Sequence, residues 1–224
     1  SLFGNTPAVA TGIAAALKVK GKKDTRVIAQ GGDGGTIDIG FGCLSGMFER
    51  NDDVLYICYD NEAYMNTGTQ RSASTPPTAR TATTMPLGDE PGNVFGTGKN
   101  LPLIAMAHNI PYVATASVSN LQDLEKKVEK AMTFHGSRYI HIFVPCPLGW
   151  GHASDITIQL ARLVVQTALF PLFEAEHGAI TNSTPIRKRL PVEEYLRPQR
   201  RFSHLFKKDA IDEERIAKIQ KMAD

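Results

Sequence analysis

Two polar residues that follow apolar runs are the strongest candidates for chemistry in this sequence. One is Asp33, in a Gly32-Asp33-Gly34 turn, and the other is Asn61, which lies 28 positions later and follows the apolar run 54–59. If the two preceding strands are neighbours, a carboxylate and an amide oxygen face one crevice at the carboxyl edge of a sheet. Such oxygens suit Mg²⁺ that is bound together with phosphate oxygens.

The glycine turn allows two interpretations. Glycines let backbone N–H groups approach a diphosphate without Cβ interference, at the start of a helix whose dipole favours anions. The alternative is a tight strand–helix turn in which Asp33 only caps the helix. Two other phosphate motifs are absent: a dinucleotide fingerprint beginning at Gly32 requires a small residue where Ile37 stands, and the run 96–99 is followed by Asn100 instead of Ser or Thr.

Alternating apolar runs and helical periodicities position these residues. Strands are predicted at 27–29, 54–59, 112–115 and 139–144, and helices at 7–18, 36–50, 101–108, 121–133, 156–167 and from about 212. Glycines at 40, 42 and 46 in the second helix predict close packing. Residues 64–100 have no regular pattern and read as a long functional loop. The fold class is therefore α/β, with a doubly wound and mostly parallel sheet.

Composition limits the possible classes of function. The 224 residues are 42% hydrophobic and 21% charged with a net charge of +2, and no aromatic-rich basic motif supports nucleic-acid binding. No apolar run is long enough for a membrane span, and no signal peptide is recognisable. Three cysteines do not make a disulfide framework, so we expect a cytoplasmic protein that binds neither nucleic acid nor a membrane. The six histidines show no metal-ligand spacing.

The stretch 31–72 resembles a known family. Its Gly-Asp-Gly turn, Asp60-Asn61 pair and following Tyr-Met-Asn-Thr-Gly run closely resemble the thiamine diphosphate-binding β subunit of pyruvate:ferredoxin oxidoreductases, and are similar to the oxalate-using relatives. The resemblance continues through 111–118, 144–150, 170–178 and 191–205, so it covers nearly the whole chain. The run after the Asp-Asn pair speaks against the 2-oxoglutarate and branched-chain members. The resemblance implies the thiamine diphosphate-binding type of fold.

The resemblance also implies roles for individual residues. It makes the Asp33 and Asn61 side chains and the Ala63 backbone carbonyl ligands of Mg²⁺. Asn66 matches the catalytic position whose amide meets the substrate beside the cofactor; the alternative is a turn asparagine that bonds its own backbone. The implied cofactor-binding set is Gly32, Asp33, Gly34, Asn61, Ala63 and Asn66.

Cys146 matches the family cysteine that ligates the [4Fe–4S] cluster nearest the cofactor. Without the resemblance it reads as a small buried apolar residue between two prolines. Cys43 and Cys58 do not replace the other three ligands, and the chain contains no C-x-x-C. We expect those ligands in a segment that precedes Ser1.

The implied reaction is the thiamine diphosphate-dependent oxidative decarboxylation of a 2-oxoacid, with electrons passing through [4Fe–4S] clusters to ferredoxin. Pyruvate is the default substrate, and Arg80 raises the possibility of oxalate because a guanidinium favours a second carboxylate. No glutamate is placed by motif to activate the cofactor's aminopyrimidine, so the resemblance implies that partner subunits complete the site in a hetero-oligomer.

The resemblance also suggests how the chain is divided. We expect residues 1–170 to form the thiamine diphosphate-binding domain and residues 171–224 to form an extended C-terminal arm and helix. In that arm, Tyr195, Arg197 and Phe202 are expected to contact a partner subunit. Two alternatives remain: a thiamine diphosphate enzyme without iron–sulfur chemistry, and a non-catalytic scaffold subunit that kept the fold.

Overall fold

The computed structural model describes residues 2–208 and 210–224 as a layered α/β structure. Its elements, in chain order, are α1 (Thr6–Val19), β1 (Val27–Gly32), α2 (Phe41–Glu49), β2 (Val54–Asp60), α3 (Leu101–Ala107), β3 (Tyr112–Ser117), α4 (Leu121–Thr133), β4 (Arg138–Phe143), α5 (Pro147–Trp150), α6 (Thr157–Gln166), β5 (Phe173–Glu176), β6 (Ala179–Ser183), α7 (Val192–Leu196), β7 (Phe206–Lys207), β8 (Ala210–Ile211) and α8 (Glu213–Ala223). A π-helical turn, Gly34–Asp38, separates β1 from α2.

The central sheet has the strand order β1-β2-β4-β3-β5-β6. The first four strands in this order are parallel, and β5 and β6 add an antiparallel edge. The predicted mostly parallel α/β sheet is thus confirmed. Residues 173–183, which were expected to belong to an extended C-terminal arm, form β5 and β6 and continue the central sheet.

Both faces of the sheet are buried under helices. On β2, Tyr56 and Cys58 contribute to the core that includes α1, α2 and α3, whereas Leu55 and Ile57 contribute to the core under α4. This alternation follows from the two-residue period of a strand. Because β2 is covered on both sides, it reads as a continuous apolar run and not as an alternating one. A third core, around Trp150, joins α5 and α6 to the C-terminal helices.

The single helix predicted for residues 36–50 is interrupted. The π-helical turn ends at Asp38, and α2 begins only at Phe41. A Cβ on Gly40 would stand 2.0 Å from the Gly35 carbonyl oxygen, so close backbone packing explains the glycine there. The same prediction is wrong for Gly42, because a Cβ on this residue meets nothing within 4 Å.

Residues 64–100 form an irregular but packed segment. It contains only two isolated bridges, Tyr64 with Gln70 and Thr81 with Thr84. Some of its buried polar side chains bond within the segment, as when the Asn93 amide donates to the Thr75 carbonyl at 2.7 Å. Others bond outside it, as when the Thr75 hydroxyl donates to the Glu62 carbonyl. The expected loop is therefore held in place by its own Ser, Thr and Asn side chains. Among the described residues, no helix has the length and apolar character that a bilayer crossing requires.

The C-terminal residues expected to reach a partner are mostly buried within this chain. Tyr195 is 2% exposed and Phe202 is fully buried, both in the core around Trp150. Their own chain already covers these two side chains, so they leave little surface for the expected partner contact. Arg197 is exposed and pairs with Glu193.

Candidate functional site

The parallel pairing of β1 with β2 brings the two strand-end residues together. Gly32 lies opposite Tyr59 in the register, so the chain leaves both strands at the same edge of the sheet. One terminal atom of the Asn61 side-chain amide lies 3.1 Å from Asp33 Oδ1 and 2.8 Å from the Ala63 carbonyl oxygen. The three groups that the sequence singled out for a metal therefore meet at one point.

The end of the Asn61 amide can satisfy this point in two ways. Without an ion its nitrogen faces inward and donates to the Ala63 carbonyl oxygen at 2.8 Å and to Asp33 Oδ1 at 3.1 Å. With a cation bound, the amide would rotate so that its oxygen faces inward. These two separations are close to the roughly 3 Å between adjacent ligands of an octahedral Mg²⁺ ion. The donor set fits a hard divalent cation.

Asp33 is buried, and its environment raises the cost of its negative charge. The residue is 1% exposed, and the Ser72 hydroxyl donates to its Oδ2 at 2.5 Å. Burial, followed by repulsion from Asp60, raises the pKa of Asp33 to about 8, although the Ser72 hydrogen bond opposes this shift. A bound cation would favour the ionised carboxylate, since an adjacent positive charge reverses the effect of burial.

The glycine turn is required by a neighbouring ring. A Cβ on Gly34 would stand 2.4 Å from the Tyr64 ring, whose hydroxyl is 3.2 Å from both the Gly34 carbonyl oxygen and Asp38 Oδ2. A Cβ on Gly32 would be 3.9 Å from the nearest atom outside the turn, the Tyr59 carbonyl oxygen. Packing therefore explains why residue 34 is a glycine, because a side chain there would overlap the Tyr64 ring. A side chain at position 32 would meet no such obstacle, so the space beside the end of β1 is open.

The turn that carries Asn61 and Ala63 is braced from four directions. The Asp60 carboxylate accepts the Glu62 N–H at 2.8 Å, and the Thr75 hydroxyl donates to the Glu62 carbonyl at 2.6 Å. The Trp150 indole donates to the Asn61 carbonyl at 2.8 Å, and the Arg201 guanidinium lies 2.6 Å from the Glu62 carboxylate. Sequence reasoning missed these braces, and the separation of Arg201 from the motif left no local signal.

Glu62 is a buried acid whose charge is balanced by one arginine. Burial raises the pKa of Glu62 to about 7, while the Arg201 charge works in the opposite direction. The side chains of Glu62 and Arg201 are only 12% and 3% exposed. Removing either partner would leave an uncompensated charge in the interior.

A second buried network lies behind the site. His141, on β4, bonds Asp60 through Nε2 at 2.7 Å and the Tyr139 hydroxyl through Nδ1 at 2.6 Å. Asp60 therefore contacts both His141 and the backbone of Glu62. His141 therefore has a structural role here, since both of its ring nitrogens are hydrogen-bonded to neighbouring side chains.

Asn66 occupies an exposed turn next to the site. The Thr69 N–H donates to the Tyr64 carbonyl at 2.9 Å and closes the turn around it. Within residues 2–208 and 210–224, the Asn66 side chain makes no hydrogen bond, so the alternative of an asparagine that bonds its own backbone is not observed. Its amide is free to meet a ligand.

Cys146 stands at the start of α5, whose last residue is Trp150. The cysteine is half-buried and free, and its carbonyl accepts the Trp150 N–H at 3.0 Å. Through Trp150, α5 also reaches the Asn61 carbonyl. In the part of the chain that the structure describes, no group of three or more His, Cys, Asp or Glu side chains could hold a metal. These residues alone do not fit a four-cysteine cluster.

Arg80 lines a cavity on the other side of Trp150. The cavity has a volume of about 320 Å³, and its lining includes Thr69, Arg80, Trp150, Arg200 and Arg201. The Arg80 side chain is exposed and its Nε lies 3.2 Å from Met85 Sδ. No carboxylate lines this cavity, so its charge favours an anion.

Comparison with known proteins gives consistent matches. Residues 1–142 match the family described as thiamine pyrophosphate enzyme, C-terminal TPP binding domain. The chain is 51% identical over 225 residues to pyruvate synthase subunit PorB of Methanosarcina barkeri, covering all of this chain and 75% of that protein. It is 50% identical over 222 residues to the PorB subunit of Methanothermobacter thermautotrophicus, covering 99% and 75%.

Two further matches are to proteins whose names give other 2-oxoacids. Ketoisovalerate oxidoreductase subunit VorB of Pyrococcus abyssi is 49% identical over 214 residues, covering 92% of this chain and 68% of that protein. A solved 2-oxoglutarate:ferredoxin oxidoreductase from Magnetococcus marinus has a TM-score of 0.56 at 27% identity, covering 71% of this chain and 58% of that one. The expectation that branched-chain members are set apart by sequence is not supported, because the ketoisovalerate protein is nearly as similar as the pyruvate proteins.

Proposed function

Because this chain belongs to the family of thiamine pyrophosphate-binding subunits of 2-oxoacid:ferredoxin oxidoreductases, we propose that it holds the diphosphate and Mg²⁺ of thiamine diphosphate. The observation that supports the proposal is the convergence of the Asp33 carboxylate, the Asn61 side-chain amide and the Ala63 carbonyl on one point. The carboxylate supplies the charge for the ion. The amide and the carbonyl supply neutral oxygens, which leave positions for phosphate oxygens and water.

The remaining residues of the site orient and enclose the cofactor. The N–H groups that begin the π-helical turn after Asp33 face no helical partner and are suited to a diphosphate. Exposed Asn66 is proposed to meet the substrate, with Gly32 and Gly34 shaping the turn. When bound, thiamine diphosphate supplies the electron sink that decarboxylation of a 2-oxoacid requires, and the protein supplies grip and orientation.

The substrate class is a small 2-oxoacid. Pyruvate is proposed as the default because the most similar proteins named above include two pyruvate synthase subunits. The VorB match adds ketoisovalerate as the first alternative to test. Oxalate rests only on Arg80 and the anion-favouring cavity beside it.

The electron path is proposed to leave this chain through a partner. Cys146 is one cysteine of the four that a [4Fe–4S] cluster needs. Its helix α5 contacts the turn Asn61–Ala63 through the Trp150 indole, which donates to the Asn61 carbonyl. Other ligands, the carboxylate for the aminopyrimidine and the ferredoxin contact are assigned to parts of a hetero-oligomeric complex outside the described residues. The names of the matched proteins, which are subunits, support this assignment.

Calorimetric titration of the assembled complex with thiamine diphosphate, with and without Mg²⁺, tests the proposal. The wild type is expected to bind only when Mg²⁺ is present. Asp33→Asn is expected to weaken binding by at least about 100-fold, because the only acidic ligand is lost. The control is Asp24→Asn, an exposed substitution that should leave binding unchanged. Metal-independent binding by the wild type, or undiminished binding by Asp33→Asn, would contradict the assignment.

A further inference from the structure

The backbone of Glu62 has a conformation that glycine would adopt more easily. The φ angle of Glu62 is +64°, in the left-handed region, and the residue lies between Asn61 and Ala63, two of the proposed metal ligands. This conformation lets the Asn61 side chain and the Ala63 carbonyl point to the same place. A non-glycine residue pays about 1 kcal/mol or more for it.

The Glu62 side chain has one cationic partner, which comes from the far end of the chain. Arg201 Nη2 lies 2.6 Å from Glu62 Oε2, although the two residues are 139 positions apart. In the part of the chain that the structure describes, this is the only ion pair of either residue. The pair is shielded from water and is therefore screened less than a surface pair.

Arg201 is itself fixed on several sides. Its guanidinium lies over the Trp150 ring at 3.8 Å, its Nε donates to Gln199 Oε1 at 2.7 Å, and its Nη2 donates to the Tyr195 hydroxyl at 3.1 Å. Trp150 in turn donates to the Asn61 carbonyl. A planar guanidinium suits this stacked position, whereas the compact ammonium of lysine does not.

We propose that Arg201 is a positioning residue that holds the Asn61–Ala63 turn in the shape that the metal site requires. It acts through Glu62 and Trp150 and touches no ligand of the metal itself. The inference rests on the proposed function. This role makes the C-terminal segment part of the proposed cofactor site, because Arg201 supports the Asn61–Ala63 turn through Glu62 and Trp150.

The test compares cofactor binding in four variants of the assembled complex. They are Arg201→Met, Arg201→Lys, the double variant Glu62→Gln with Arg201→Met, and the control Arg197→Met, which removes an exposed arginine of the same segment. Apo complexes are titrated calorimetrically with thiamine diphosphate across a range of Mg²⁺ concentrations. The thermal midpoint of each apo complex is measured in parallel.

Arg201→Met is expected to raise the Kd for Mg²⁺ roughly 10- to 100-fold, the range for residues that orient metal ligands. Arg201→Lys should fall between this variant and wild type. Since the Met variant buries an unpaired Glu62 charge and is prone to misfold, the double variant provides the decisive measurement. It should regain thermal stability and keep the raised Kd for Mg²⁺. Arg197→Met should match wild type.

Two results separate the possible failures. A folded double variant that binds Mg²⁺ and thiamine diphosphate as tightly as wild type would overturn the role of Arg201 and leave the proposed function standing. A wild-type complex that does not bind thiamine diphosphate in the presence of Mg²⁺ would overturn the proposed function instead.

Discussion

Single residues in this protein draw their meaning from the atoms that face them. Asp33 in isolation is a turn aspartate or a helix cap. Beside the Asn61 amide and the Ala63 carbonyl it becomes one member of a polar cluster that fits the proposed cation. The same holds for Gly34, whose missing side chain is explained by the Tyr64 ring. The type of a residue limits the roles that it can have, and the neighbouring atoms determine which of these roles it takes.

Arg80 provides a prediction at the residue scale. Its exposed guanidinium lines a cavity without a carboxylate, so a dianionic substrate should gain more from it than a monoanion. If the cavity receives substrate, Arg80→Ala should lower kcat/KM for oxalate at least about tenfold more than for pyruvate, which corresponds to roughly 1.4 kcal/mol. Steady-state assays with both acids provide the measurement.

The matched control for Arg80 is Arg187→Ala, which removes another exposed arginine. Unchanged oxalate turnover in Arg80→Ala, or an equal loss with both acids, would remove the case for a second carboxylate. Ketoisovalerate should be included, because a matched protein carries that substrate in its name.

At the element scale, the connection from β1 to α2 sets the position of the site. The π-helical turn Gly34–Asp38 occupies the place where a continuous helix was predicted. Such turns are uncommon and occur often at functional sites. Here Asp33 immediately precedes the turn, and the Tyr64 ring packs against Gly34, the first residue of the turn. The local irregularity and the candidate site therefore coincide.

A pair of glycine substitutions tests this description of the elements. Gly34→Ala should lower the free energy of unfolding by about 1–3 kcal/mol, because the new methyl group overlaps the Tyr64 ring. Gly12→Ala should raise it by about 0.5–1 kcal/mol, because Gly12 lies within α1 and a Cβ there meets nothing within 4 Å. Urea denaturation of the full chain measures both. Equal effects of the two substitutions would contradict the packing explanation.

Across the whole molecule, charge is organised at both edges of the sheet. The carboxyl edge carries Asp33, Asp60 and Glu62 around the candidate site. The opposite edge carries a cluster in which Asp53 contacts Arg26, His135 and Arg138. Arg138 is fully buried. Its ion pair with Asp53 joins the amino ends of β2 and β4.

The pH dependence of stability follows from Asp53. Burial acts to raise its pKa, but hydrogen bonds and charges from His135 and Arg138 outweigh burial and lower the pKa below its ordinary value of 3.8. A lowered folded-state pKa gives a contribution that is complete above pH 3.8 and disappears as the pH falls through the folded pKa. Stability should therefore fall in the acid range below about pH 4.

The substitution Asp53→Asn tests this dependence. At pH 7 it should cost about 1–3 kcal/mol, less than a fully buried pair because the Asp53 side chain is 41% exposed. The difference from wild type should shrink as the pH falls below 3.8 and disappear once it has fallen through the lowered folded-state pKa, where the aspartate is also neutral. Urea denaturation at pH 7 and pH 3 measures both values, with Asp24→Asn as the exposed control. A difference that does not change with pH would contradict the assignment.

The amino-acid sequence alone predicted the order of the four parallel strands and of the main helices, and it placed polar residues at two strand ends. Apolar runs such as 54–59 and helical periodicities are local, and each reports burial within its own few residues. The strand-end position of Asp33 and Asn61 follows from the same runs. The parallel fold class then places the two residues at one edge of the sheet, because the carboxyl ends of parallel strands lie together.

Only the tertiary structure decided how that edge is held. The ion pair of Glu62 with Arg201 and the bond from Trp150 to Asn61 join positions far apart in the chain. The antiparallel edge β5–β6 and the interrupted helix before α2 likewise depend on neighbours that no local window contains. A contact between distant residues leaves no periodic pattern in either segment, so it becomes visible only when the chain has folded.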